Sequence, residues 1–140
     1  MDVSAALTFL TGKHNGVLTT VKRDGRPQLS NITFHAGDDR VIRISITADR
    51  AKYANLVRDP RASVHVTQGD FWAYAVVEGD AELTPVAADP HDATVDEMVE
   101  LYRAVQGEHP DWDEYRHAMV TDRRVVVRLR PTHAYGMLPR

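Results

Sequence analysis

With 140 residues, 43% of them hydrophobic and 26% charged, the chain has the make-up of a globular protein long enough to form one core. Its formal net charge of -3 gives no global attraction to nucleic acid or to an anionic membrane, so any anion site has to be local. The absence of cysteine removes disulfides, thiolate nucleophiles and Cys-ligated zinc, and no apolar run approaches the ~20 residues that span a bilayer. The opening Met1-Asp-Val-Ser-Ala-Ala lacks the basic stretch of a secretory signal. A cytoplasmic protein with one domain over residues 1–140 is the expectation.

The first element reads as a short amphipathic helix, because Val3, Ala6, Leu7 and Leu10 recur at i, i+3, i+4 and i+7. Gly16–Lys22 is rich in β-branched residues, and Asp24-Gly25 supplies a tight hairpin turn. The returning strand is Gln28–His35. Alternation puts Gln28, Ser30, Ile32 and Phe34 on one face and Leu29, Asn31, Thr33 and His35 on the other, so both faces are mixed. A turn at Gly37–Arg40 leads into Val41–Thr47, where Ile42, Ile44 and Ile46 form a core face against the polar Arg43, Ser45 and Thr47.

A helix from about Arg50 to Arg58 follows, with Asp49 expected as its N-cap and Asp59-Pro60 as its stop. Arg50 and Lys52 lie two residues apart where the first helical turn offers unpaired N–H groups and partial positive charge, a combination suited to a phosphate. Ala62–Thr67 and Phe71–Val77 read as two strands across a Gly69-Asp70 turn, with Trp72, Tyr74 and Val76 pointing one way. The second of these continues through Leu83, with Gly79 as a bulge that bends it. Helices at Thr94–Val105 and Trp112–Met119 come next, the latter capped by Asp111. The last strand is Arg123–Arg130, followed by a tail from Thr132 to Met137.

Six strands joined mostly by hairpins do not make the alternating βαβ pattern of a parallel nucleotide-binding sheet. They predict a mainly β fold, a six-stranded antiparallel barrel of Greek-key type with helices added, able to hold a ligand where a polar strand face meets a helix start. Val76, Val126 and Leu129 serve either the core or an interface with a second copy. No glycine-rich dinucleotide fingerprint, phosphate loop, nucleophile elbow or His-Glu-x-x-His is present. The seven histidines show no metal-ligand spacing. His65 reads as a strand residue with a hydrogen-bonded ring. The acidic residues near 96–100 and 111–114 read as solvent-facing charge.

Several segments taken together resemble one known family. They are Gly16-Val-Leu-Thr-Thr-Val, Asp24-Gly-Arg-Pro-Gln-Leu-Ser-Asn, Ile46–Arg50 with Ala51-Lys52 and Asn55-Leu56, Arg58-Asp-Pro-Arg-Ala, and Glu78-Gly-Asp-Ala-Glu-Leu. They are similar to the pyridoxamine 5'-phosphate oxidase-like split β-barrel family. The segment Leu101–Arg124 extends the likeness to its actinobacterial branch, which binds the deazaflavin coenzyme F420.

The resemblance implies a homodimer with two cofactor sites at its interface. Gln28, Ser30 and Asn31 would face the flavin-type ring, Ser45, Ile46 and Thr47 would line it, and Arg50 and Lys52 would hold the phosphate. Trp72 and Tyr74 would either flank the cofactor from the partner subunit or pack the barrel. Arg26, Arg58 and Arg61 would form a basic groove for the coenzyme's oligoglutamate tail or remain surface charges. The resemblance does not extend to the C-terminal Arg-rich substrate segment of pyridoxamine-phosphate oxidase itself, with Tyr135-Gly-Met-Leu-Pro-Arg140 in its place, so that enzyme's own activity is the less expected one. The implied activity is hydride transfer between F420 and a small planar electron acceptor, a quinone, enone or tetrapyrrole, with no catalytic side chain singled out. The alternatives are a non-catalytic F420 carrier and an FMN enzyme of the same fold. Neither nucleic acid nor membrane is an expected partner.

Overall fold

Alternation in the sequence becomes alternation in burial: Ile42, Ile44 and Ile46 are buried, and Arg43, Ser45 and Thr47 between them are not. The computed structural model describes residues 1–140. In chain order the elements are α1 (Val3–Leu10), β1 (Asn15–Val21), β2 (Pro27–Ala36), β3 (Ile42–Thr47), α2 (Ala51–Arg58), β4 (Arg61–Thr67), β5 (Tyr74–Leu83), α3 (Ala93–Gln106), α4 (Trp112–Thr121), β6 (Arg124–Leu129) and β7 (His133–Met137). The strands pair in the order β4-β1-β2-β3-β6-β5, and β5 closes on β4 to complete a six-stranded antiparallel barrel. A seventh strand, β7, lies outside it on the edge of β5.

The barrel interior holds Leu18, Phe34, the three isoleucines, Val64, Val66, Val77, Val125, Val127 and Leu129. Helix α1 plugs it with Ala6, Phe9 and Leu10, each large side chain contributing on the order of 2–3 kcal/mol by leaving water. Phe9, not Leu7, completes the buried stripe of that helix. Outside the barrel, α3 and α4 cover the outward side of β6, burying Val95, Met98, Met119, Ala87 and Val126 in a smaller cluster. Val76, Val126 and Leu129 are all buried within the chain. No helix is long and apolar enough to cross a membrane.

Several expectations change. The tail forms β7, because Gly136 permits the two backbones to pass closely: a Cβ there would sit 2.3 Å from the carbonyl oxygen of Tyr74. Gly79 is not a bulge, since β4 and β5 pair without an inserted residue from Arg61↔Asp80 to Thr67↔Tyr74. The glycine is needed where β5 passes from β4 to β6, with the Arg130 carbonyl oxygen 2.6 Å from any added Cβ.

Phe71 and Trp72 do not belong to β5. They form an exposed turn, 79% and 80% accessible, held by Asp70, whose carboxylate accepts the Trp72 N–H at 3.0 Å. Asp49 does not cap α2. Its carboxylate instead accepts the Thr47 hydroxyl at 2.5 Å, and Arg50 occupies the N-cap position with no side-chain cap. By contrast Asp111 caps α4 as expected, accepting the Glu114 N–H at 3.1 Å.

Candidate functional site

The barrel is split between β2 and β3. These strands pair only over Phe34–Ala36 and Ile42–Ile44, so the earlier half of β2 has β1 on one edge and nothing on the other. Phe34 N–H donates to the His14 carbonyl at 2.8 Å, which fixes the alternation along the β1–β2 ladder. The backbone groups of Leu29, Asn31 and Thr33 therefore turn away from β1 into the seam. These residues are exposed, so their free donors and acceptors are open to water or to a ligand.

A cavity of about 340 Å³ occupies this seam. Asn31, Ile32 and Thr33 of β2, Ser45 of β3, Lys52 of α2 and Arg124 of β6 line one side. Leu101, Tyr102 and Val105 of α3 with Tyr115 and Met119 of α4 form an apolar wall opposite. That wall is held by its own contacts: Tyr102 meets Trp112 and Tyr115 edge to face at 5.6 and 5.0 Å, and the Tyr115 hydroxyl donates to the Met98 carbonyl at 3.0 Å. Burial pushes the Tyr115 phenol up to about 12, so it stays neutral.

The polar side is cationic. Burial, then Arg50 and Arg124, lower the Lys52 ammonium from its ordinary value, which places three positive groups within mutual influence. None of Arg50, Lys52 and Arg124 forms an ion pair. Arg124 Nη1 makes one long hydrogen bond to Ser45 Oγ, 3.4 Å, while its Nε is buried with no partner at all. A buried orphan donor beside two further cations suits an anion with several oxygens. Arg50 reaches the same region from a shallow depression shared with Thr47, Asp49, Arg123 and Arg124.

A second cavity, about 510 Å³, lies on the outer face of β1, β2 and β4, lined by Asn15, Gly16, Val17, His65 and Thr67. It shares Asn31, Ile32 and Thr33 with the first, so the two chambers adjoin along β2. His65 has no hydrogen bond to its ring, contrary to expectation. The ring instead stacks on Tyr74, centroids 5.4 Å apart.

Of the residues singled out in the sequence, Asn31, Ser45 and Lys52 line the seam cavity, and Thr47 and Arg50 line the depression beside it. Ile46 is 1% exposed, so its side chain belongs to the core and only its backbone is offered. Gln28 and Arg58 enter a separate network: Asn55 Nδ2 donates to Gln28 Oε1 at 2.9 Å and to Thr20 Oγ1 at 3.1 Å, while Arg58 Nη2 donates to Asn55 Oδ1 and to the Val21 carbonyl. Ser30 is half-buried on the Gln28 side of β2.

Trp72 and Tyr74 lie at the β4–β5 turn and line neither chamber. Arg61 is paired with Asp59 at 2.7 Å, and the Asp59 carboxyl is held down to about 2 by that guanidinium. Arg26, Arg58 and Arg61 line neither chamber. Arg124 was not singled out by sequence. Only its pairing with Thr47 across β3–β6 brings it to the site, and that register has no local signature.

A family model described as pyridoxamine 5'-phosphate oxidase matches residues 3–138. The chain belongs to that family. Among solved structures, an F420 reductase is 29% identical, with 91% of this chain and 94% of that one covered and a TM-score of 0.69. A conserved hypothetical protein of Mycobacterium tuberculosis aligns over 100% of this chain and 90% of its own at 22% identity, TM-score 0.74. A heme binding protein of Mycobacterium smegmatis is 18% identical over 96% of this chain and 52% of its own, TM-score 0.67. The last two show the shared split-barrel fold, one that holds flavin-type cofactors in this family, and an oxidoreductase activity is consistent with it.

Proposed function

We propose that the chain binds the deazaflavin coenzyme F420 in the seam and transfers a hydride between it and a small planar electron acceptor. The observation that carries this reading is the pair of adjoining chambers, one ending in Arg50, Lys52 and Arg124 and the other running along β2 toward β4. A phosphate ester bearing a long planar ring has that shape and charge distribution. The 29% identity to an F420 reductase favours the deazaflavin over FMN.

In this reading Lys52, Arg50 and Arg124 hold the phosphate, and the orphan Arg124 Nε gains an acceptor. Backbone groups of Asn31 and Thr33 meet the polar edge of the ring, and Ser45 and Thr47 complete the polar lining. Tyr102, Val105 and Met119 keep water from the apolar side, which strengthens every charge interaction inside. When bound, the coenzyme supplies the hydride chemistry, and the protein supplies position and electrostatics.

A homodimer belongs to the same proposal. Trp72, Tyr135 and Met137 are exposed at 80%, 46% and 61%, and Leu29 on β2 at 63%. Pairing of two such surfaces would bring Trp72 and Tyr74 of one copy toward the cleft of the other. Parallel titrations of the protein with F420 and with FMN test the cofactor assignment. The expected result is saturable F420 binding at least ~10-fold tighter than FMN; tight FMN binding without F420 binding overturns it. Reoxidation of the reduced coenzyme by a panel of electrophiles, no faster with protein than without, would point instead to a carrier.

A further inference from the structure

We propose that His65 is the proton donor at the ring end of the cleft, serving acceptors that are conjugated carbonyl compounds. The inference rests on the F420 reading above and adds the residue that completes the reduction. His65 is the one titratable side chain among those lining the second chamber, the rest being Asn15, Gly16, Val17, Asn31, Ile32, Thr33 and Thr67. Its half-buried ring has no hydrogen-bond partner in the protein and is steadied only by Tyr74 at 5.4 Å. A structural histidine at such a position would normally satisfy its ring nitrogens. This one lines the chamber with its ring nitrogens unbonded to the protein.

Placement gives the role. A molecule anchored by its phosphate at Arg50, Lys52 and Arg124 extends along Asn31–Thr33, the stretch shared by both chambers, and its far end approaches β4. An acceptor lying on the ring therefore meets His65. Reduction of a conjugated enone needs a hydride at the β-carbon and a proton at the α-carbon or oxygen. The hydride brings its electron pair from the reduced deazaflavin, forming one C–H bond and shifting the π pair toward the carbonyl. The N–H bond of the imidazolium breaks to deliver the proton there, and the ring is reprotonated from solvent, which receives the N–H proton that the coenzyme gives up on oxidation. The acceptor gains two electrons and two hydrogens, and the coenzyme is oxidised by two electrons. An imidazole can donate a proton from one ring nitrogen and be reprotonated from solvent, which suits it to that transfer.

Directly across from His65 lie Val17 of β1 and Val76 of β5, and on the same sheet surface follow Tyr74 and Glu78 from β5, Asn15 and Thr19 from β1, and His133 and Tyr135 from β7. Glu78 is already engaged, its carboxylate accepting the Ser63 hydroxyl at 3.1 Å. A pH limb assigned to His65 is therefore separable from Glu78 by the E78Q variant.

Two readouts test the proposal on the full chain. In nuclear magnetic resonance spectra of ring-labelled protein, the His65 signals should move when oxidised F420 is added. H65Q should bind F420 within about twofold of wild type, yet reduce cyclohexenone with kcat lower by ~10²-fold and without the limb in the pH profile that wild type shows. Unmoved His65 signals at saturating coenzyme, or an H65Q variant with wild-type kcat and pH profile, overturn the proton-donor assignment while leaving the F420 reading intact. Wild type that binds F420 but accelerates neither cyclohexenone nor menadione reduction overturns it too. Wild type that does not bind F420 removes the functional reading and this proposal together.

Discussion

The outer face of the β3–β6 ladder carries arginines at both ends, and the two ends are treated in opposite ways. At one end Arg43 and Arg128 sit directly opposite each other and converge on Glu97 of α3. Asp39 and Glu82 add further partners at 2.8 and 2.5 Å. At the other end Arg124 faces Thr47, with Arg50 and Lys52 close by, and no carboxylate pairs with any of them. Paired charges hold α3 against the barrel. Unpaired ones, one with a buried orphan nitrogen, make up the proposed phosphate site. Asp49 and Asp122 lie in the same depression as Arg50 and Arg124 yet form no ion pair with either, so the difference between the two ends is one of pairing.

The comparison can be broken at either end. The largest stability effect belongs to the neutralised end: E97A should lower unfolding free energy by about 2–3 kcal/mol in denaturant titrations, because Arg43 and Arg128 both lose their half-buried partner. Its coenzyme affinity should stay within a few-fold of wild type. R124A should do the reverse, weakening F420 about 10–30-fold in fluorescence titrations while leaving the thermal midpoint unchanged or slightly raised, since a buried unsatisfied nitrogen is removed.

The pH dependence of stability follows from the same carboxylate. Hydrogen bonds from Arg128, then Arg43, hold the Glu97 carboxyl below its ordinary 4.5. Its stabilisation is therefore complete above that value and lost as pH falls through the lower folded value. Acid unfolding of E97Q should show a shallower slope in that window. The smallest effect is expected at Arg61, which is exposed and already bound to Asp59. R61E should leave F420 affinity within twofold, against the idea of a basic groove through Arg58 and Arg61.

Much of the barrel was legible because alternation is local: the isoleucines of β3, the helix at Val3–Leu10 and the Asp111 cap read directly from spacing. The missed pieces depend on partners far along the chain. β7 exists because Gly136 lets it lie against Tyr74, and Glu97 looked like one more solvated acid until two strands brought it arginines. At the site, Arg50 and Lys52 advertised themselves by sitting at a helix start, although the Asp49 cap inferred with them turned back to Thr47. Arg124 and His65 had no such signal. One depends on the β3–β6 register and the other on where the seam leads.

The most direct test of the cationic seam is calorimetric titration of F420 into wild type and into the R50A/K52A double variant, with thermal unfolding as a check that both are folded. Two charge-assisted phosphate contacts predict an affinity loss of at least ~10²-fold in the double variant. Equal affinity in a folded double variant would contradict the account.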